Sequence, residues 1–234
     1  MNYGFALLNE QKTDQINQID LEEADEENRY FIQLYHHVIG AVGLKDLDVL
    51  EVGSGRGGGA DYIKRYFEPE RVVGVDLSES AVLFCNTIYD QNGLSFKDGD
   101  AESLPFPDES FDVVLNVESS HCYGSMKKFL GEVKRVLRKG GYFLFTDFRR
   151  TEVINILRDN LDNSGLTLIK EVDITANIIK ALELDDQRRI ALIEEKVPKP
   201  MVGFFLQFAG AKGSKIYERF CCGETLYQSF ELQK

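Results

Sequence analysis

Asp48-Val49-Leu50-Glu51-Val52-Gly53-Ser54-Gly55-Arg56-Gly57-Gly58-Gly59 is a short apolar run that reaches an acid and then breaks into glycines. The pattern predicts a buried strand, a tight turn free of bulky side chains and the start of a helix. Amides at such a helix start are free to face a polar ligand. Some twenty residues on, Arg71-Val72-Val73-Gly74-Val75-Asp76 is a second apolar run ending in an acid. A carboxylate at that place can accept hydrogen bonds from both hydroxyls of a ribose, so the expected ligand carries a nucleoside. Gly53, Gly55 and Gly58 also satisfy the dinucleotide pattern, but two features point away from a dinucleotide. Glu51 stands two residues before the first glycine, where it would repel a pyrophosphate, and a third acid-rich turn follows at Gly99-Asp100-Ala101-Glu102. A carboxylate beside the turn suits a ligand with a positive amine or sulfonium.

With Glu51, Asp76 and Asp100 at successive strand ends, the order of acids resembles that of class I S-adenosylmethionine-dependent methyltransferases. The run Leu104-Pro105-Phe106-Pro107-Asp108-Glu109-Ser110-Phe111-Asp112-Val113-Val114, followed by Glu132-Val133-Lys134-Arg135-Val136-Leu137-Arg138-Lys139-Gly140-Gly141, is similar to the signature of small-molecule and lipid methyltransferases. More narrowly, Ser54–Gly59, Asn116-Val117-Glu118-Ser119-Ser120-His121-Cys122-Tyr123 and Thr146-Asp147-Phe148-Arg149 resemble the phthiotriol and phenolphthiotriol dimycocerosate O-methyltransferases and their bacterial relatives. Ser54 departs from the Cys common there, and the likeness weakens beyond residue 150, so acceptor identity does not transfer.

The resemblance implies an α/β fold: a seven-stranded, mostly parallel Rossmann-like sheet with an antiparallel last strand, helices on both faces and a helical lid. It implies S-adenosyl-L-methionine as donor and S-adenosyl-L-homocysteine as product. Asp76 with Leu77 would hold the ribose, and Asp100 with Ala101 and Glu102 the adenine edge. The Gly53, Gly55 and Gly57 backbone beside Ser54 would hold the methionine part, and Asn116 with Val117 would offer a carbonyl to the donor amine. Glu51 would orient that amine or a water, with Arg56 near the donor carboxylate.

At 234 residues the chain can bury one sizeable core, which predicts a single domain: residues 1–45 a helical lid, 46–150 the cofactor-binding core, 151–234 a C-terminal half with substrate-lid helices. Lysines and arginines number 27 against 39 acids, a formal net charge of −12, which disfavours a phosphate-tracking surface and hence a nucleic-acid partner. Residues 1–34 hold eight acids, among them Glu10 and Asp14, against Lys12 and Arg29, and read as a solvated arm. No apolar run approaches the ~18 residues of a membrane span and no leader pattern opens the chain, so a cytoplasmic protein is expected. Cys85, Cys122, Cys221 and Cys222 lack metal-site spacing and read as buried or half-buried thiols. The oligomeric state is not legible.

In chain order, the three- and four-residue spacing of apolar residues predicts a helix over Leu21–Gly43, with Tyr35 its candidate for approaching the ligand. Strands are expected at Leu47–Val52, Val72–Asp76, Leu94–Lys97, Phe111–Asn116, Tyr142–Asp147 and Leu166–Ile174. Helices are expected at Ala60–Phe67, Glu79–Asp90 with Ser78 as cap, Met126–Leu137 closed by Lys139-Gly140-Gly141, residues 151–164 and Ala176–Lys196. Met201–Phe208 reads either as a pocket lining or as a helix buried against the sheet. Ile216–Phe220 and Thr225–Leu232 read as a terminal hairpin.

Methyl transfer to a hydroxyl requires alignment of the acceptor and removal of a proton. His36 and His37 sit in the leading helix, whereas His121 follows the fourth strand, where the acceptor should meet the methyl group. Its resemblance to sugar O-methyltransferases with a Glu-Ser-x-His segment implies a His121–Asp147 dyad, Asp147 fixing the imidazole tautomer. The acceptor is expected to be a small molecule or lipid. Two other readings stay open: a non-catalytic S-adenosylmethionine binder, and methylation of carbon or nitrogen, tRNA included.

Overall fold

A computed structural model describes residues 2–8, 19–40 and 42–234. Glu10, Lys12 and Asp14 of the acidic arm lie outside the described residues. Seven strands form one sheet: β1 Asp48–Val52, β2 Arg71–Asp76, β3 Leu94–Asp98, β4 Phe111–Val117, β5 Leu137–Arg150, β6 Thr167–Asp173 and β7 Thr225–Gln233. They stand in the order β3-β2-β1-β4-β5-β7-β6. The first five pair in parallel, and β7 runs antiparallel between β5 and β6.

Alternation along each strand divides the core in two. Val49, Val72, Val113 and Leu115 point to one face, under helices α1 (Arg29–Ile39), α2 (Gly58–Phe67), α3 (Glu79–Ile88), α6 (Thr175–Lys196) and α8 (Lys215–Cys221). Leu50, Val73, Val114 and Phe143 point to the other, under α4 (Met126–Val136) and α5 (Ile154–Asp162). Covered on both faces, the central strands are continuous apolar runs, the composition of a doubly covered parallel sheet. Because β1 neighbours both β2 and β4, the crossovers diverge there and open a cleft at the carboxyl ends of β1 and β4. The glycine turn after β1 and Glu118 after β4 line that cleft.

Local signals account for most element ends. Ser78 caps α3 by accepting from the Ala81 amide, and Ser125 caps α4 by accepting from Lys128. Several expectations need correction. The leading helix is shorter than Leu21–Gly43: a 3₁₀ stretch over Glu23–Asn28 precedes α1. Lys139-Gly140-Gly141 does not close α4, since the chain is extended from Leu137, and Gly140 and Gly141 pair with Lys234 at the end of β7. Ile216–Phe220 is helical, not the first arm of a hairpin: Ser214 accepts from the Tyr217 amide, and Ile216 and Phe220 share one face of α8. Met201–Phe208 forms the short helix α7 (Val202–Phe208), none of whose residues is buried. Of the four free thiols only Cys85 is buried; Cys122, Cys221 and Cys222 are exposed.

Candidate active site

The glycine turn is pinned by its own backbone. The Gly53 and Ser54 amides donate to the Val75 carbonyl of β2 at 2.8 and 3.1 Å, and the Gly55 amide donates to Asp76 Oδ2 at 2.7 Å. Gly53 has φ +77°, and a Cβ there would lie 2.3 Å from Ser119 Oγ, so both backbone angle and space demand glycine. Gly59 is as tightly held, because a Cβ would fall 2.1 Å from the Tyr35 ring, which α1 lays across the start of α2.

From that ring the Tyr35 hydroxyl donates to Glu51 Oε1 at 2.6 Å. Glu51 is wholly buried, and burial pushes its carboxyl up to about 7 despite the tyrosine hydrogen bond. Burial first, and then the Glu51 charge, drive the Tyr35 hydroxyl well above its usual range, so it stays a donor. A cavity of about 580 Å³ opens in front, walled by Tyr35, Gly53, Ser54, Gly55, Arg56 and Val117, with Asn2 and Glu118 at one end. Arg56 lies over the Phe84 ring at 4.6 Å. Behind the wall, the Asn116 amide nitrogen donates to the Val52 carbonyl, Ser119 Oγ and Tyr123 OH at 2.9, 2.7 and 2.9 Å. Its carbonyl oxygen Oδ1 is left without a partner.

Glu51 Oε2, Ser54 Oγ and Asn116 Oδ1 are all buried and unpartnered. Two are oxygens that can only accept, the complement of a cationic amine, and an unmet buried acceptor is costly. Asp76 Oδ1 accepts from the Ser78 amide at 3.0 Å, and each carboxylate oxygen keeps a second acceptor position. Leu77, expected at the ribose, and the residues expected around adenine are not among those lining this cavity. Leu77 is 77% exposed, Ala101 packs in the core beneath β1 and β2, Asp100 accepts from the Glu102 amide, and Glu102 accepts from the Ser125 amide. Gly57 packs against Tyr89 and Phe96.

On the far side of Glu118 lies a second pocket of about 110 Å³, bounded by Asn2, Tyr3, Glu118, His121, Phe148, Arg189, Phe208 and Ala209. His121 stands in a 3₁₀ turn, Ser120–Cys122, directly after β4. Its Nδ1 meets Asp147 Oδ1 at 2.8 Å, and Phe148 lies against its ring at 4.5 Å. Asp147 is fully buried and also accepts from Ser120 Oγ at 2.6 Å and the His121 amide at 2.9 Å, with Arg149 at 3.1 Å. Burial works against its charge, but these donors win and hold the carboxyl below its ordinary value. The reverse balance acts on His121: burial lowers its pKa, the Asp147 hydrogen bond and charge raise it further, and the net is a raised value. An ionised Asp147 only accepts, so Nδ1 carries the proton and Nε2 is the free lone pair.

Sequence reasoning brought His121 and Asp147 together correctly in space but assigned no role to Glu118 or the segment at residues 2–6. Glu118 has a left-handed backbone, φ +49°, and its Oε1 accepts from the Tyr3 amide at 2.7 Å and the Tyr227 hydroxyl at 2.6 Å. Arg189, buried in α6, donates to the Tyr3 carbonyl at 2.7 Å and to Asp185 at 2.8 Å. Residues 2–6 are thereby strapped across the cleft. Glu118 was visible as an acid between the fourth strand and His121; the strap, with no periodicity, gave no signal.

A family of methyltransferase domains matches residues 50–145. Phthiotriol/phenolphthiotriol dimycocerosates methyltransferase of Mycobacterium tuberculosis is 38% identical over 212 residues, 91% of this chain and 78% of that protein. Fatty-acid O-methyltransferase of Mycolicibacterium smegmatis is 37% identical over 230 residues, 98% of this chain and 81% of that one. Geranyl diphosphate C-methyltransferase from Streptomyces coelicolor A3(2), solved with Mg2+, geranyl diphosphate and S-adenosyl-L-homocysteine, has a TM-score of 0.70 at 17% identity over 100% of this chain and 92% of that one, a likeness of fold. The chain belongs to the S-adenosylmethionine-dependent methyltransferases. It is an enzyme of that class, and S-adenosyl-L-methionine is its methyl donor.

Proposed function

We propose that this methyltransferase transfers the methyl group to an oxygen of a lipid-like acceptor, a hydroxyl above all, with His121 as general base. The observation that carries the reading is the 2.8 Å contact of His121 Nδ1 with a buried, charge-stabilised Asp147, which leaves Nε2 as the acceptor nitrogen of a ring that lines a pocket beside the larger cavity. Two relatives with O-methyltransferase or lipid-methyltransferase names support the acceptor class.

The donor supplies an electrophilic methyl group on a sulfonium. Asp76, with Leu77 beside it, takes the ribose hydroxyls with its remaining acceptor positions and Asp100 the adenine amine, with Ala101 and Glu102 bordering that edge. The turn at Gly53, Ser54, Gly55 and Gly57 receives the methionine part, with Arg56 near its carboxylate and Val117 against it. Asn116 Oδ1 and Glu51 Oε2 face the amine, and Tyr35 orients Glu51. On the acceptor side, the hydroxyl proton passes to His121 Nε2 as the oxygen lone pair commits to the new bond. Asp147 and Glu118 stabilise the imidazolium so formed, and Phe148 holds the ring in place. The single sheet carries donor and acceptor sites in one domain, with α1 and α6 to α8 as its covering helices.

The test is to incubate the protein with isotopically labelled donor and detergent-dispersed fatty alcohols, alkyl phenols and fatty acids, then locate the label by product mass and fragmentation. Label on a hydroxyl oxygen supports the reading; label on carbon or nitrogen overturns it. Label on carboxyl oxygen alone would indicate an acceptor already ionised at neutral pH, with no need of His121 as a base.

A further inference from the structure

Between Lys196 and Lys215 the chain carries four lysines and no acid, in a protein of net charge −12. The same stretch contains α7 and the 3₁₀ turn Lys199–Met201 before it, whose outward stripe Met201, Phe204 and Phe208 is 48%, 68% and 70% exposed. Those positions follow helical spacing, so the stripe is one face rather than scattered residues. Lys196 pairs with Glu195 at 2.6 Å, whereas Lys199, Lys212 and Lys215 are exposed and make no ion pair among the described residues. The acids at this edge are Asp186, which accepts from the Lys212 backbone amide, Glu183, which accepts from the Tyr217 hydroxyl, and Glu218, one turn after Lys215 on α8.

The stripe runs into the site: Phe208 and Ala209 bound the pocket that holds His121, and the Phe208 carbonyl accepts from Tyr3 OH at 3.5 Å. Exposed aromatic residues flanked by unpaired lysines match the two-part chemistry of an anionic bilayer surface, apolar below the headgroups and negative above. We propose that α7 and its flanking lysines dock this enzyme on anionic lipid bilayers and so set the acceptor pocket at the membrane surface. The geometry then gives a lipid acceptor a route along Phe208 to His121 without passage through water. The inference deepens the lipid-acceptor reading and rests on it for its purpose, but its test needs no acceptor.

Flotation or sedimentation of the protein with vesicles of phosphatidylglycerol and phosphatidylcholine, against pure phosphatidylcholine, reads it directly. Partition onto the anionic vesicles is expected to exceed that onto the neutral ones at least ~100-fold and to fade in high salt. The triple variant Lys199→Gln, Lys212→Gln, Lys215→Gln should lose about 100-fold in partition. Met201→Ser with Phe204→Ser should lose roughly 10-fold. Calorimetric donor affinity equal to wild type checks that each variant is folded. The proposal fails if wild type ignores both vesicle types or if both variants bind as wild type does. It also fails if the stripe proves to join two copies, seen as a dimer that Phe204→Ser disperses while vesicles recruit nothing. Vesicle binding without methylation of any dispersed lipid would remove the lipid-acceptor reading and leave the docking face; methylation without vesicle binding would do the opposite.

Discussion

The cavity proposed for the donor and the pocket proposed for the acceptor are built differently, though they share a wall. The floor of the first is one glycine turn, fixed by hydrogen bonds from its amides to Val75 and Asp76 and intolerant of an added Cβ at Gly53, while side chains such as Phe31 and Tyr35 of α1 and Phe84 of α3 complete its walls. The acceptor pocket draws side chains from the 2–6 strap, the β4 end, β5, α6 and α7, elements far apart in sequence, and ends in an exposed helix. A constant ligand can be held by rigid backbone, while a variable one is met by side chains on a movable cover. Changes on one side should therefore leave the other side's binding intact.

The largest separation is expected from His121→Ala. A positioned base contributes about 10²–10⁴-fold, so turnover should fall by that order in single-turnover assays while calorimetric donor affinity holds. Because the neutral imidazole is needed, the wild-type rate should rise with pH through an ionisation above the ordinary histidine value. In Asp147→Asn the carboxylate that favours the charged ring is lost, and the limb should move to lower pH. Unchanged turnover in the alanine variant would mean that proximity alone drives transfer.

Asp76→Ala should act on the other side only, weakening the donor by roughly 1–3 kcal/mol as ribose hydroxyls lose their partner. Calorimetry giving wild-type affinity in a folded variant would take Asp76 out of the site. A smaller effect is expected from Phe208→Ser: KM for long-chain acceptors rising about 10-fold, from lost apolar contact, with donor affinity and short-chain acceptors little changed. Equal losses on both sides would show that the wall does not insulate them.

The smallest effect is a proton. Without donor, burial holds Glu51 near 7, and a cationic amine beside Oε2 favours its charged form, so the bound value is lower. Affinity should accordingly rise with pH up to about 7 and then level off, with less than one proton released per donor bound at neutral pH. Calorimetry in buffers of different ionisation enthalpy measures that release; none would place the amine away from Glu51.

Legibility in the sequence follows the same division. The strands, the glycine turn and the acids at β1 and β2 were readable because each depends on neighbours in the chain. The His121–Asp147 pair was readable because two consecutive parallel strands put their ends side by side, Val117 opposite Thr146. The adenine edge was less so: Asp100 and Glu102 are engaged with backbone amides rather than facing the large cavity. The acceptor side was the least legible. Met201–Phe208 read equally as pocket lining or as buried helix; α7 buries none of these residues and only Phe208 borders the His121 pocket, and Ile216–Phe220 was mistaken for a strand although Ser214 was present as a helix cap. Residues 2–6 are held by Glu118 and Arg189, partners more than a hundred residues away, which no local pattern announces.

Asn2 and Glu118 face both cavities. For inhibitor design, one partition between two chambers means that a short tether suffices to occupy both. A donor analogue carrying a fragment of a few heavy atoms, small enough for the inner chamber of about 110 Å³, would deliver that fragment at an effective concentration in the millimolar range. Its gain over the untethered analogue should vanish when Phe148→Trp fills the inner chamber, whereas a gain that survives would place the fragment elsewhere. Selectivity would then come from the fragment, because the pocket it enters is lined by side chains from elements far apart in the chain rather than by a backbone turn.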